Sequence, residues 1–139
     1  MSNIVVQKFG GTSLADTDRF KAVAKIIKDT SEKGKKVVAV VSAMAGETQR
    51  LIDLAKEVQK IPDPREYDAL ISSGEQVSVA LLAMTLRNEK VNSKSYTAFQ
   101  LGLRTDDYHG KARINSIDTK NILKDISTDI TPVITGFQG

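Results

Sequence analysis

Apolar positions along the chain switch between two periods, and the switching predicts the elements. Ile4 to Phe9 is a short apolar run stopped by Gly10-Gly11, the pattern of a buried strand. From Asp16 to Lys33 the apolar residues Phe20, Val23, Ala24, Ile26 and Ile27 recur at helical spacing, with Gly34 as the stop. Val37 to Val41 is uniformly apolar and valine-rich, as suits a parallel strand covered on both faces. Ser42 to Gly46 is a loop of small residues. A second helix follows, with Leu51, Leu54, Ala55 and Val58 in register, and Ile61-Pro62-Asp63-Pro64 closes it.

Arg65 to Ser72 reads as helical, Ser73-Gly74 as an interruption, and Glu75 to Asn88 as a long helix with Val77, Ala80, Leu81 and Met84 on its apolar face. Ser93 to Ala98 alternates weakly, as an edge strand does. Residues 99–118 carry little pattern beyond a short strand at Ala112-Arg113-Ile114. Thr119 to Ser127 is a helix capped by Asp118 or Thr119, and Ile130 to Thr135 is a last apolar strand. This alternation predicts an α/β fold: a three-layer αβα sandwich with a mainly parallel sheet. The final strand is followed by only Gly136-Phe137-Gln138-Gly139. Functional loops of open α/β sheets leave the carboxyl ends of strands, so the expectation is the front part of a larger domain.

Composition narrows the chemistry. The 139 residues are 40% hydrophobic and 27% charged, within the globular range, and one domain is expected. Without cysteine there is no disulfide, thiolate nucleophile or cysteine-held metal, and the single histidine, His109, rules out a histidine-rich site. The net charge of +3 is mild, its lysines are scattered, and aromatics reach only 5%. A nucleic-acid surface would show a basic stripe with stacking aromatics, so nucleic acid is not expected as a partner. No uninterrupted apolar run approaches the ~20 residues of a membrane span, and no basic leader precedes Ile4. A cytoplasmic protein without a membrane partner is the expectation.

Four segments could carry chemistry. In Lys8-Phe9-Gly10-Gly11-Thr12-Ser13 a strand ends in a lysine, two glycines and two hydroxyls. Bare backbone amides can nest an oxyanion there, and a helix start and Lys8 add positive charge. The alternative is a plain strand-to-helix turn; the segment is neither a Walker A loop nor Gly-x-Gly-x-x-Gly. Ser42-Ala43-Met44-Ala45-Gly46-Glu47-Thr48 sets hydroxyls beside a small-residue backbone, although taken alone a simple loop with Thr48 capping the next helix is the favoured reading. Ser72-Ser73-Gly74-Glu75-Gln76 has capping-box spacing, and local physics prefers the cap to a carboxylate in a cleft. His109, in a polar stretch, reads as a surface residue.

Taken together and in order, these segments resemble the start of an aspartate kinase of the amino acid kinase superfamily. The resemblance runs through Ser95-Tyr96-Thr97, His109-Gly110-Lys111-Ala112-Arg113-Ile114 and Gly136-Phe137-Gln138-Gly139, and covers nearly the whole chain. It implies that residues 1–139 are the N-terminal portion of the catalytic domain, without the second glycine-rich stretch, the adenine pocket or the regulatory ACT-type domains. It implies ATP with Mg2+ as co-substrate and L-aspartate as substrate, phosphorylated on its side-chain carboxylate to 4-phospho-L-aspartate on the route to lysine, methionine and threonine. By this resemblance Lys8, Gly10 and Gly11 hold the transferring phosphates, with Thr12 and Ser13 beside them. Ser42 and Thr48 line the substrate site, Glu75 pairs with the substrate ammonium, and Phe137 sits beside the amino acid. The resemblance thus overrules the capping preference for Glu75. It leaves a homo-oligomer open and implies little or no turnover by the 139-residue chain alone. The competing reading is a non-catalytic paralogue that binds aspartate or phosphate, or pairs with a kinase subunit.

Overall fold

A computed structural model describes residues 3–137. Its centre is a four-stranded, wholly parallel sheet in the order β1 (Ile4–Phe9), β2 (Lys36–Val41), β6 (Thr131–Thr135), β3 (Ser93–Tyr96). The last strand in sequence lies between the second and third, and Ser93–Tyr96 forms an edge, as its weak alternation predicted. The register Phe9–Val41–Thr135 aligns the carboxyl ends of β1, β2 and β6. The loops after these strands therefore emerge side by side.

Side chains alternate between the two faces of each strand. On one face Val37, Ala39, Val41, Val133 and Phe9 pack against helices α1 (Thr17–Glu32) and α4 (Ser73–Asn88), through Phe20, Val23, Ala24, Ile27, Val79, Leu82 and Leu86. On the other face Val38 and Tyr96 meet α5 (Lys120–Ser127) through Ile122 and Ile126. These are the three layers predicted for an α/β chain. Tyr96 also donates its hydroxyl to the Asp125 carboxylate, tying the edge strand β3 to α5 through a buried bond.

Helix starts follow local chemistry. Asp16 caps α1 by accepting the Arg19 amide at 2.9 Å. Asp63 caps α3 (Pro64–Ile71), accepting the amides of Arg65 and Glu66, with Pro64 in the first turn where its missing N–H costs nothing. For α5 it is Asp118 that supplies the bond, to Lys120 N at 3.0 Å, while Thr119 makes none. Helix α2 (Glu47–Val58) starts after Gly46, whose φ of +78° is left-handed and favours glycine. The patternless stretch holds a small antiparallel pair, β4 (Arg104–Thr105) and β5 (Ile114–Ser116), two residues later than the predicted strand at 112–114.

One prediction is reversed. Of the expected apolar face of the long helix, Val77, Ala80 and Met84 are exposed, Val77 by 50% and Met84 by 66%, while Leu81 is half-buried against the core. The buried face of α4 is Gly74, Glu75, Ser78, Val79, Leu82, Ala83 and Leu86. This helix is apolar nearly all round, so period alone does not choose a face. The choice is made by the small and polar residues at its start, which fit beneath the loop after β2. Smaller departures occur on α1 and α2, where Ile26, Leu54 and Val58 are exposed while Ile27, Leu51 and Ala55 are buried. Residues 64–88 together are long and apolar enough to cross a membrane by length and composition. Here they form two helices, α3 and α4, and α4 is built into the core.

Candidate active site

Three loops leave the carboxyl ends of β1, β2 and β6 and lie against one another. Ser42 N donates to Phe9 O at 3.1 Å and Gly136 N to Val41 O at 2.8 Å, so each loop starts from its neighbour's strand end. Crevices at this end of open parallel sheets are where ligands bind.

The first loop differs from expectation in one respect. Between the glycines and α1 lies a 3-10 turn, Gly11–Leu14, closed by Ser13 N to Gly10 O at 3.1 Å, and the amino end of α1 is already capped by Asp16. The positive end of α1 therefore does not follow the glycines directly, and oxyanion recognition falls to the loop amides and Lys8. The two glycines have different reasons to be glycine. A Cβ on Gly11 would come within 3.2 Å of Ala43 O, so a side chain there would crowd the contact between the first and second loops. A Cβ on Gly10 would meet nothing within 4 Å, and its φ of −79° suits any residue. Neither packing nor backbone geometry requires Gly10, which leaves an exposed amide open to close approach.

The second loop, 42–46, is the centre of the site. It touches Gly11 on one side and α4 on the other, where a Cβ on Gly74 would stand 2.9 Å from the Ala43 methyl. Glu75 reaches up from α4 to accept the Ala43 amide at 3.1 Å. Only 2% of Glu75 is exposed, and its second oxygen, Oε2, is buried without a partner. Burial pushes the Glu75 carboxyl above its ordinary pKa, and the amide bonds it accepts only partly oppose this. The capping-box expectation is not met: Ser72 and Ser73 donate instead to the carbonyls of Ala69 and Leu70, and the carboxyl of Glu75 bonds to a different loop. Ser78 Oγ and Thr135 Oγ1 are buried and unpartnered too. Neither is marked in the sequence, because a hydroxyl on a helix or at the end of a strand adds nothing to the apolar period.

A cavity of about 480 Å³ lies beside this loop. Thr48 and Phe137 line it with Tyr67, Asp68, Lys111 and Ala112, so two of the expected substrate residues meet in one pocket. Phe137 is 62% exposed and holds a left-handed φ of +49°. Glu75 stands outside the lining residues, beneath the 42–46 loop. Lys8 is exposed and projects from the sheet face opposite Phe9, and so opposite α4 and Glu75. The phosphate-loop candidates and the amino-acid candidates thus share an edge of the sheet but not a single cavity. Gln138 and Gly139 lie outside the described residues. His109, expected at the surface, is partly exposed and lies 3.4 Å from Asp68. Among the described residues no group of three His, Cys, Asp or Glu side chains gathers to hold a metal.

The profile of the amino acid kinase family matches residues 3–139. The chain belongs to this family. It is 49% identical over 136 residues to the aspartate kinase of Stutzerimonas stutzeri, covering 98% of this chain and 33% of that relative. It therefore spans about a third of the length of the curated relatives it matches. The crystal structure of the aspartate kinase from Synechocystis superposes with a TM-score of 0.84 at 37% identity, covering 96% of this chain and 22% of that one. E. coli aspartokinase III in complex with aspartate and ADP superposes with a TM-score of 0.81 at 23% identity, covering 96% of this chain and 40% of that one, and shows the same fold.

Proposed function

We propose that this chain forms the amino-acid side and the first phosphate loop of an aspartate kinase, as the N-terminal portion of its catalytic domain. The observation that carries the reading is the convergence of the loops after β1, β2 and β6 at one end of a parallel sheet, in a chain with extensive likeness to aspartate kinases. In the reaction, an oxygen of the L-aspartate side-chain carboxylate attacks the γ-phosphorus of ATP. The bond to the β–γ bridging oxygen breaks, and ADP leaves with its electron pair. The product is 4-phospho-L-aspartate. The attacking carboxylate is already ionised at neutral pH, so no base is required.

Such transfers are accelerated by positioning and by positive charge around the moving phosphoryl group. Lys8 and the amides of Gly10 and Gly11 suit that task, with Thr12 and Ser13 as flanking hydroxyls. Ser42 and Thr48 suit the substrate side, and Phe137 offers an apolar wall beside the amino acid. Glu75 supplies the counter-charge for the substrate ammonium; a buried carboxyl with a free oxygen gains most from a cation that restores its charged form. ATP would enter with Mg2+, which would add positive charge beside the phosphates; among the described residues no group of three His, Cys, Asp or Glu side chains gathers to hold it. A cytoplasmic setting fits an enzyme that consumes ATP and a free amino acid. Support also comes from E. coli aspartokinase III, whose solved complex contains aspartate and ADP.

Calorimetric titration of the chain tests this reading. L-aspartate should bind saturably, and MgATP should bind with an affinity that Lys8→Ala lowers about tenfold, the loss of one charge-assisted contact. No binding of aspartate, or nucleotide binding indifferent to Lys8→Ala, would contradict it.

A further inference from the structure

The loop between β4 and β5 is held together by its own hydrogen bonds, and among the described residues one side chain anchors its tip to the helices. Within the loop, Asp106 Oδ1 accepts the amides of Tyr108 at 3.2 Å and Arg113 at 3.1 Å, and Lys111 N donates to Tyr108 O at 3.0 Å. Gly110 turns the chain with a φ of +78°. The anchor is Asp68, 42 residues away on α3: its Oδ2 accepts the Gly110 amide at 2.8 Å and lies 3.4 Å from His109 Nδ1. Directly beside this tie is the 480 Å³ cavity, with Thr48 from α2 and Tyr67 from α3 on one side and Lys111 and Ala112 from the loop on the other. Lys111 is the sole cation among the lining residues, and Asp68 the sole anion.

An amino-acid substrate with two carboxylates and one ammonium needs more cation than anion from its pocket. Glu75, beneath the 42–46 loop and outside this cavity's lining, is the group assigned above to the ammonium. Asp68 is already engaged by the loop, which leaves Lys111 as the group facing a carboxylate. A lysine on a free surface loop would lose much of its worth to side-chain and loop entropy. Clamping the loop removes part of that loss before the substrate arrives.

We propose that Asp68 is a positioning residue for the amino-acid pocket: by holding the 106–113 loop against α3 it sets the Lys111 ammonium at the pocket wall, where it meets a carboxylate of the substrate. This rests on the aspartate reading given above, for the substrate though not for the clamp. The geometry makes two separable demands, an ordered loop and a cation upon it.

Hydrogen exchange and calorimetry on the same variants separate them. In Asp68→Ala the amides of residues 108–113 should exchange about tenfold faster while those of β1, β2 and β6 are unchanged, and L-aspartate should bind about tenfold more weakly. Asp68→Asn keeps an acceptor for the Gly110 amide and should fall between, which also decides the matter if the alanine variant fails to fold. Lys111→Ala should weaken aspartate to the same extent with loop exchange unaltered, a split that a purely structural role would not produce. Unchanged loop exchange in both Asp68 variants overturns the clamp. Native affinity in Lys111→Ala overturns the role of the cation. Failure of the unmodified chain to bind aspartate refutes the substrate reading and with it the role of Lys111, while loop exchange still decides the clamp.

Discussion

Glu75 is the residue on which most of the site turns. It is a carboxyl beneath a loop, with one oxygen bonded to Ala43 N and the other unpartnered, and burial raises its pKa. An acid whose folded pKa is raised binds its proton more tightly folded than unfolded. Its favourable contribution is therefore complete below the unfolded pKa and is lost as pH rises through the folded one. Glu75→Gln keeps the acceptor for Ala43 but cannot ionise. The variant should match the native chain in stability below the ordinary carboxyl range and overtake it as pH rises above that range, measured by urea denaturation. A constant difference across both would mean that Glu75 ionises without cost. The same ionisation couples to ligand, since an ammonium beside Glu75 favours the charged form. The sequence placed Glu75 in the right helix and the right first turn, but spacing alone made it a cap. What distinguishes a cap from a buried acceptor is the partner, and here the partner lies 32 residues away.

Among the elements, the meeting of α4 with the 42–46 loop sets the site. Gly74 is glycine because a Cβ would stand 2.9 Å from the Ala43 methyl, with Glu47 Cγ at 3.4 Å and Leu51 Cδ1 at 3.6 Å beyond it. Gly74→Ala should gain helix propensity of about 1 kcal/mol and lose more, about 1–3 kcal/mol, to the forced displacement. The net is a destabilised chain with altered amide shifts at Ala43 and Met44; a more stable variant would show the contact to be yielding. Strands were legible because both faces of a parallel strand are buried, so Val37 to Val41 reads as strand whatever its neighbours do. Helix α4 was legible in extent and not in orientation: Val77, Ala80 and Met84 are apolar as Val79, Leu82 and Leu86 are, and the loop packed on Gly74 and bonded to Glu75 favours one face. The β4–β5 pair was nearly illegible, since strands of two and three residues with no buried face leave no period to find.

For the whole molecule, the two ends of the sheet are chemically distinct. At the amino end α1, α4 and α5 finish in turns through Gly34, Lys90 and Asp129, each with a left-handed φ. Lys28, Lys35, Lys36 and Lys90 surround a depression of about 560 Å³ there. Helix carboxyl ends carry partial negative charge, so lysines near them answer the helices themselves; Lys36 also pairs with Asp129, and Lys35 bonds to Asn3. Much of the mild basic excess seen in the sequence thus collects at this end without building a ligand site. The carboxyl end has the smaller cavity, together with the Gly10–Gly11 turn, a buried carboxyl and the unpartnered hydroxyls of Ser78 and Thr135. Chemistry, not volume, marks the functional end. The most direct test is a titration of the isotopically labelled chain with L-aspartate, followed by backbone amide shifts. Saturable changes should concentrate at Ala43, Thr48, Glu75, Lys111 and Phe137. Changes centred on Lys28, Lys36 and Lys90 instead, or none at all, would contradict the assignment of the site.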